Sequence, residues 1–91
     1  MPADFEGLNF YARLEYDRLQ VGHALREYRL ERGFTQAEIA WRSGITQGAL
    51  SNYENGKRDV PLPALIAVCR VLGLYPAQIV PALAPPAAAG A

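Results

Sequence analysis

One segment of the chain presents side chains that could form hydrogen bonds with the edges of DNA bases. Between residues 46 and 55, Leu50 and Tyr53 lie three positions apart, which is the spacing of a buried helical stripe. The opposite face of this predicted helix is polar and small. Gln and Asn amides can each form two hydrogen bonds with adenine, so this face favours base recognition. Its members are Gln47, Gly48, Ser51, Asn52 and Asn55.

Two short helices and a tight turn would have to position this face. Thr35 is a typical N-cap, and Glu38 three residues later completes a capping box at the start of the first helix. Gly44 suits the end of that helix, and Thr46 can cap the next one. Two helices that cross through such a turn form the unit that places a helix in the DNA major groove. A plain helical hairpin with a solvated polar face would explain any one of these features, but their combination favours DNA binding.

Several motifs at these spacings match a known family over residues 21–80, most of the predicted ordered chain. They are Leu25-Arg26-Glu27-Tyr28-Arg29, Gly33-Phe34-Thr35-Gln36-Ala37-Glu38-Ile39-Ala40, Gly44-Ile45, Leu50-Ser51-Asn52-Tyr53-Glu54-Asn55-Gly56-Lys57-Arg58 and Leu72-Gly73-Leu74. With them the chain resembles the helix-turn-helix domain of the phage repressor and Cro type, the XRE family. The resemblance implies an all-α fold, a five-helix lambda-repressor-like bundle, here with an additional N-terminal helical extension.

The resemblance also implies roles for residues at matching positions. Gln36 would contact a phosphate and brace the recognition helix, and Arg29 would form a partly buried salt bridge with Glu54. The family often has a longer polar residue where this chain has Gly48, which leaves one direct base contact open. The expected base contacts are Gln47, Gly48, Ala49 and Asn52. The expected contacts of the following loop with the DNA backbone are Asn55, Lys57 and Arg58.

The distribution of charge agrees with a DNA-binding segment, although the net charge is zero. Residues 18–70 carry eight Arg or Lys against five Asp or Glu, whereas residues 1–17 have a balance of −3. Phosphate neutralisation supplies much of the affinity for DNA, so the basic part is the one expected to bind. Arg42 is as consistent with an ordinary solvated charge as with a phosphate contact. From charge and helix position, we add four expected backbone contacts: Thr35, Arg42, Thr46 and Ser51.

The hydrophobic and turn patterns predict six helical segments and one domain. The N-terminal extension comprises residues 1–19, the helix-turn-helix domain residues 20–83, and a low-complexity tail, expected to be disordered, residues 84–91. The first helix either ends near Gly22 or continues into the second. The predicted helices cover residues 8–19, 20–32, 36–43 and 47–55, then Pro61 or Pro63 to Leu72, and a short segment from Pro76 that Pro81 interrupts or ends.

Surplus apolar residues in the N-terminal extension suggest a second copy of the chain as a partner. The extension has more apolar and aromatic residues than one buried stripe needs, so it either packs over the domain or contributes to a dimer. The resemblance implies a competing dimer surface at the last short helix, because related small regulators dimerise near their C-terminus. The expected dimer contacts are Phe10, Tyr11 and Leu14 in the extension, and Ile79, Val80 and Leu83 near the C-terminus.

Other function classes have little support in the sequence. Cys69 is the only cysteine and lies on an apolar run, which favours a buried thiol, and His23 has no neighbour that could complete a metal site. No catalytic constellation, glycine-rich phosphate loop or cofactor motif is present, so an enzyme is not expected. The acidic N-terminus does not read as a targeting segment, and no basic cluster suggests nuclear import. We therefore expect a prokaryotic, cytoplasmic protein that associates with the nucleoid when bound to DNA.

Two hypotheses about function follow. In the first, the chain is a homodimeric transcriptional regulator, a repressor or autoregulator, that binds a pseudo-palindromic operator in double-stranded DNA; a restriction–modification controller is a variant of it. In the second, it is an antitoxin-type interaction module, with DNA binding secondary to binding a partner protein through the extension or the tail.

Overall fold

The computed structural model describes residues 16–85, and these form a bundle of helices around one apolar core. Most of the helix predicted at residues 8–19 and most of the tail lie outside this range. The α-helices are α1 (Arg18–Glu31), α2 (Gln36–Ser43), α3 (Gln47–Glu54) and α4 (Leu62–Leu72), followed by two 3₁₀ helices at Pro76–Gln78 and Pro81–Leu83. The all-α helix-turn-helix class is therefore confirmed.

The last predicted segment, from Pro76, would be the fifth helix of the lambda-repressor-like bundle, but it forms two 3₁₀ helices, each of which begins at a proline. Pro81 has no N–H to donate to a carbonyl one turn earlier, so an α-helix that starts at Pro76 cannot pass it. The described residues thus contain four α-helices rather than five.

Helix α1 begins earlier than predicted and continues through Gly22. The Asp17 carboxylate accepts a hydrogen bond from the Leu19 N–H at 2.9 Å and caps the helix. The helix therefore crosses the boundary that the sequence suggested between residues 19 and 20. Gly22 is buried inside this helix and does not end it, for a packing reason given below.

The core is formed by one apolar stripe from each α-helix. Helix α4 packs against α2, and α3 packs against both α1 and α2. The burial of Cys69 raises the pKa of its thiol to about 11, in agreement with the expected core position. The largest fully buried side chains are Leu25, Ile39, Leu50, Val68 and Cys69.

Two of the expected dimer contacts are instead core residues. Ile79 and Val80 are only 5% and 7% exposed and close the C-terminal end of the apolar core. Their prediction as dimer contacts is wrong, because the 3₁₀ turns direct them inward. Leu83 remains 46% exposed. Phe10, Tyr11 and Leu14 lie outside the described residues.

Within residues 16–85, no helix is both long enough and apolar enough to cross a membrane. In the same range, no three side chains of the His, Cys, Asp or Glu type are grouped so that they could hold a metal ion.

Candidate nucleic-acid interface

Helices α2 and α3 begin at threonine caps, as predicted. The Thr35 hydroxyl accepts the Glu38 N–H at 3.1 Å, and the Glu38 carboxylate accepts the Thr35 N–H at 2.9 Å, which completes the capping box. These hydrogen bonds lower the pKa of Glu38. Gly44 ends α2 with a φ of +72°, and the Thr46 hydroxyl then accepts the Ala49 N–H at 3.0 Å. Short-range chemistry therefore fixes the turn between the two helices.

Helix α3 is anchored in the core by Leu50, which is fully buried. Gln47 and Gly48 are exposed at the start of the helix, and a Cβ at Gly48 would meet no heavy atom within 4 Å. Farther along, Ala49 and Asn52 are half-buried. The four expected base contacts thus share one helix, with the most accessible pair in its first turn.

Two polar residues of the same helix form a hydrogen bond with each other. Ser51 is half-buried, and its hydroxyl accepts a hydrogen bond from the Asn55 amide at 3.4 Å. Asn55 is exposed and ends α3. Both remain candidates for contact with the DNA backbone.

A buried ion pair fixes the other end of α3. Arg29 of α1 donates two hydrogen bonds to the Glu54 carboxylate, from Nε at 2.8 Å and from Nη2 at 2.9 Å. The two side chains are only 9% and 1% exposed. The Glu54 hydrogen bonds raise the pKa of Arg29. A third Arg29 bond, from Nη1 to the Phe34 carbonyl at 2.9 Å, ties the loop before α2 to the same guanidinium.

Gln36 joins this cluster from the start of α2. Its amide nitrogen donates to the Glu54 carboxylate at 3.0 Å, so α2 and α3 are tied together at the end remote from their turn. Gln36 is half-buried. Its bracing contact with the recognition helix is present, while its contact with a phosphate stays a prediction.

The lysine and arginine residues that are predicted to contact DNA phosphates have different surroundings. Lys57 and Arg58 are exposed in the loop after α3. Arg42 is also exposed, but its guanidinium lies 5.3 Å from the centre of the Phe34 ring, a cation–π contact within the chain. The structure therefore gives Arg42 an internal role beside the predicted phosphate contact.

Sequence reasoning missed the residue that allows α1 to approach α3. A Cβ at Gly22 would clash with the Tyr53 carbonyl oxygen and would lie 2.7 Å from that of Glu54. Only glycine permits this approach without movement of the backbone. The signal in the sequence was a glycine inside an apolar helical pattern, which can mark either a helix end or a close contact.

The fold and the site together define a helix-turn-helix DNA-binding domain. Two capped helices, α2 and α3, are joined by a turn that contains a glycine. The first turn of α3 is exposed and polar, and buried contacts hold its C-terminal end. The family described as "Helix-turn-helix domain" matches residues 20–82. The chain belongs to this family, in agreement with its resemblance to the XRE type.

Relatives and solved structures share this domain. The HTH-type transcriptional repressor RghR of Bacillus subtilis is 47% identical over 45 residues, which cover 50% of this chain and 33% of RghR. Antitoxin HipB of Escherichia coli K12 is 32% identical over 59 residues, which cover 65% of this chain and 67% of HipB. The restriction–modification controller protein C.AhdI of Aeromonas hydrophila superposes with a TM-score of 0.67 at 28% identity, covering 69% of this chain and 96% of C.AhdI. The chain thus matches about a third of RghR but nearly all of C.AhdI.

Proposed function

We propose that this chain is a homodimeric transcriptional regulator, a repressor or autoregulator, that acts in the bacterial cytoplasm by binding a pseudo-palindromic operator. One observation carries the proposal. The N-terminal turn of α3 exposes Gln47 and Gly48, with open space around the Cβ position of Gly48, while Leu50 and Glu54 on the same helix are buried. A helix that is fixed to the core by buried side chains and has an exposed polar face can enter the major groove.

In this proposal, side chains of α3 read bases and the surrounding residues hold the phosphates. Gln47, Gly48, Ala49 and Asn52 face the base edges. Backbone contacts position the helix and carry little sequence information. They come from the helix starts, from the end of α3 and from the loop after it: Thr35, Gln36, Arg42, Thr46, Ser51, Asn55, Lys57 and Arg58.

The test is the Gln47→Ala variant, measured on two duplexes. One duplex is selected by the wild-type protein from a random library, and the other is a scrambled sequence of the same composition. Loss of a base contact should weaken binding to the selected duplex by about 1–3 kcal/mol and leave the scrambled duplex nearly unaffected. An equal loss on both duplexes would contradict base reading by Gln47.

The dimer surface in this proposal includes Leu83. With Leu62, Ile66 and Tyr75 it lines an open apolar cleft of about 590 Å³, and all four side chains are exposed. Helix α4, which supplies two of them, packs chiefly against α2, so the cleft leaves the polar face of α3 free for DNA. A charge in the cleft would oppose burial against a second copy.

The oligomeric state of Ile66→Glu, measured by light scattering, tests this surface. The variant should be monomeric at concentrations at which the wild-type protein is a dimer. The matched control is Leu30→Glu, which places the same charge at an exposed leucine of α1. A dimer that withstands Ile66→Glu would exclude this cleft as the interface.

An antitoxin is the second candidate, favoured by the similarity to HipB. Its partner would bind the extension or the tail, and most of both lies outside the described residues. A deletion of residues 1–15 tests the extension. It should abolish neutralisation of a toxin encoded next to this chain while DNA binding persists, whereas a regulator without a toxin partner would have no such neutralisation to lose.

A further inference from the structure

Three residues at the start of the described chain contact the C-terminal end of α3 and the loop that follows it. Tyr16, Leu19 and Gly22 are spaced three apart, and we name them the N-terminal row. Gly22 lies against the carbonyls of Tyr53 and Glu54, as described above. The other two members reach beyond the helix end and into the loop.

Leu19 packs against Gly56, the first residue of that loop. Gly56 is buried with a φ of +69°, and a Cβ there would clash with Leu19 Cδ2 and lie 3.0 Å from Leu19 Cα. The loop backbone therefore passes directly over α1. Gly56 also donates its N–H to the Tyr53 carbonyl at 3.1 Å, while Lys57 donates to Asn52 at 2.9 Å, which fixes the near end of the loop to α3.

Tyr16 holds the far end of the same loop. Its hydroxyl accepts a hydrogen bond from the Val60 N–H at 3.3 Å. Partial burial raises the pKa of Tyr16, and the neighbouring Asp59 carboxylate acts in the same direction, so the hydroxyl stays protonated near neutral pH. Between these two attachments lie Lys57 and Arg58, both exposed.

We propose that Tyr16 and Leu19 are positioning residues that hold the loop of residues 56–60 in place for its contact with the DNA backbone. The proposal rests on the proposed function, in which Lys57 and Arg58 contact phosphates. The row acts on the loop and not on the base-reading turn of α3, which lies at the other end of that helix. It therefore sets overall affinity and not base preference, because phosphate contacts carry little sequence information.

The test is Tyr16→Phe, which keeps the ring and removes the acceptor for the Val60 N–H. We expect binding to become about two- to tenfold weaker, by the same factor on the selected and the scrambled duplex. Hydrogen exchange of the Val60 amide should become faster, with an unchanged melting temperature. Tyr28→Phe, which removes a hydroxyl from the far part of α1, is the matched control and should change neither quantity.

A double-mutant cycle separates this proposal from the proposed function. In a Lys57→Ala, Arg58→Ala background, Tyr16→Phe should cause no further loss, because the cations that the loop presents are gone. A full additional loss in that background would overturn positioning through the loop. If Lys57→Ala with Arg58→Ala weakens binding but Tyr16→Phe does not, the row has no role and the proposed function stands. If the Lys57 and Arg58 changes leave binding intact, the proposed loop contact itself is wrong, and the positioning role falls with it.

Discussion

The two ends of α3, the proposed recognition helix, are built in opposite ways. At its start, Gly48 has open space around the position of a Cβ. At its end, Glu54 is enclosed and accepts hydrogen bonds from Arg29 and Gln36, and Gly22 of α1 lies against the last carbonyls. The same residue type, glycine, thus marks free space at one end and the closest helix contact at the other.

This difference shows how one short helix can combine a variable surface with a fixed position. The exposed positions of the first turn, Gln47 and Gly48, can change without disturbing the core. Changes at the far end move the helix itself. Substitutions at the two ends should therefore separate DNA recognition from stability.

The largest effect is expected from Glu54→Ala. It would leave the Arg29 guanidinium buried without its carboxylate, and such losses cost about 3–5 kcal/mol of unfolding free energy. Urea denaturation measures this cost. Glu31→Ala is the matched control, since its pair with Arg32 is exposed and worth about 1 kcal/mol at most.

The origin of the cost can be checked with a second substitution. Arg29→Met combined with Glu54→Leu replaces both charges by apolar groups and should recover much of the stability. If Glu54→Ala lowered the unfolding free energy no more than Glu31→Ala, the ion pair would not stabilise the C-terminal end of α3. The proposed difference between the two ends of the helix would then be wrong.

The next effect in size is expected from Gly22→Ala. The added methyl group would force α1 away from α3, because the atoms in its way are backbone oxygens. Overpacking of this kind costs about 1–3 kcal/mol, of which better helix propensity returns up to about 1 kcal/mol. We expect a net loss of about 2 kcal/mol in urea denaturation. A Gly22→Ala protein as stable as the wild type would show that the helices can separate at no cost.

Features that depend on neighbouring residues were predictable from the sequence. The Thr35–Glu38 capping box and the end of α4 at Leu72 formed as expected, since each depends on residues only a few positions apart. The class of the fold followed from the same local signals. The resemblance to a family added the pairing of Arg29 with Glu54, which lie 25 positions apart and share no local pattern.

Features that depend on tertiary contacts were not predictable in this way. A glycine in a helix gives the same local signal whether the helix ends or another backbone approaches, so Gly22 was ambiguous. Ile79 and Val80 were assigned to a dimer surface from the resemblance to related regulators, and the apolar pattern could not correct this because it does not show which way a 3₁₀ turn directs its side chains. The contact of Tyr16 with Val60 joins residues 44 positions apart and left no mark in the sequence.

The smallest effect on stability, and the only gain, is expected from Gly48→Ala. Alanine favours the helix, and no atom stands in its way, so the unfolding free energy should rise by about 0.5 kcal/mol. The open face is also the proposed base-reading surface. The methyl group should therefore weaken binding to the duplex selected by the wild-type protein by about 1 kcal/mol and leave the scrambled duplex unaffected. A Gly48→Ala protein that is more stable but prefers the selected duplex over the scrambled duplex as strongly as the wild type would contradict a role of this end of α3 in base recognition.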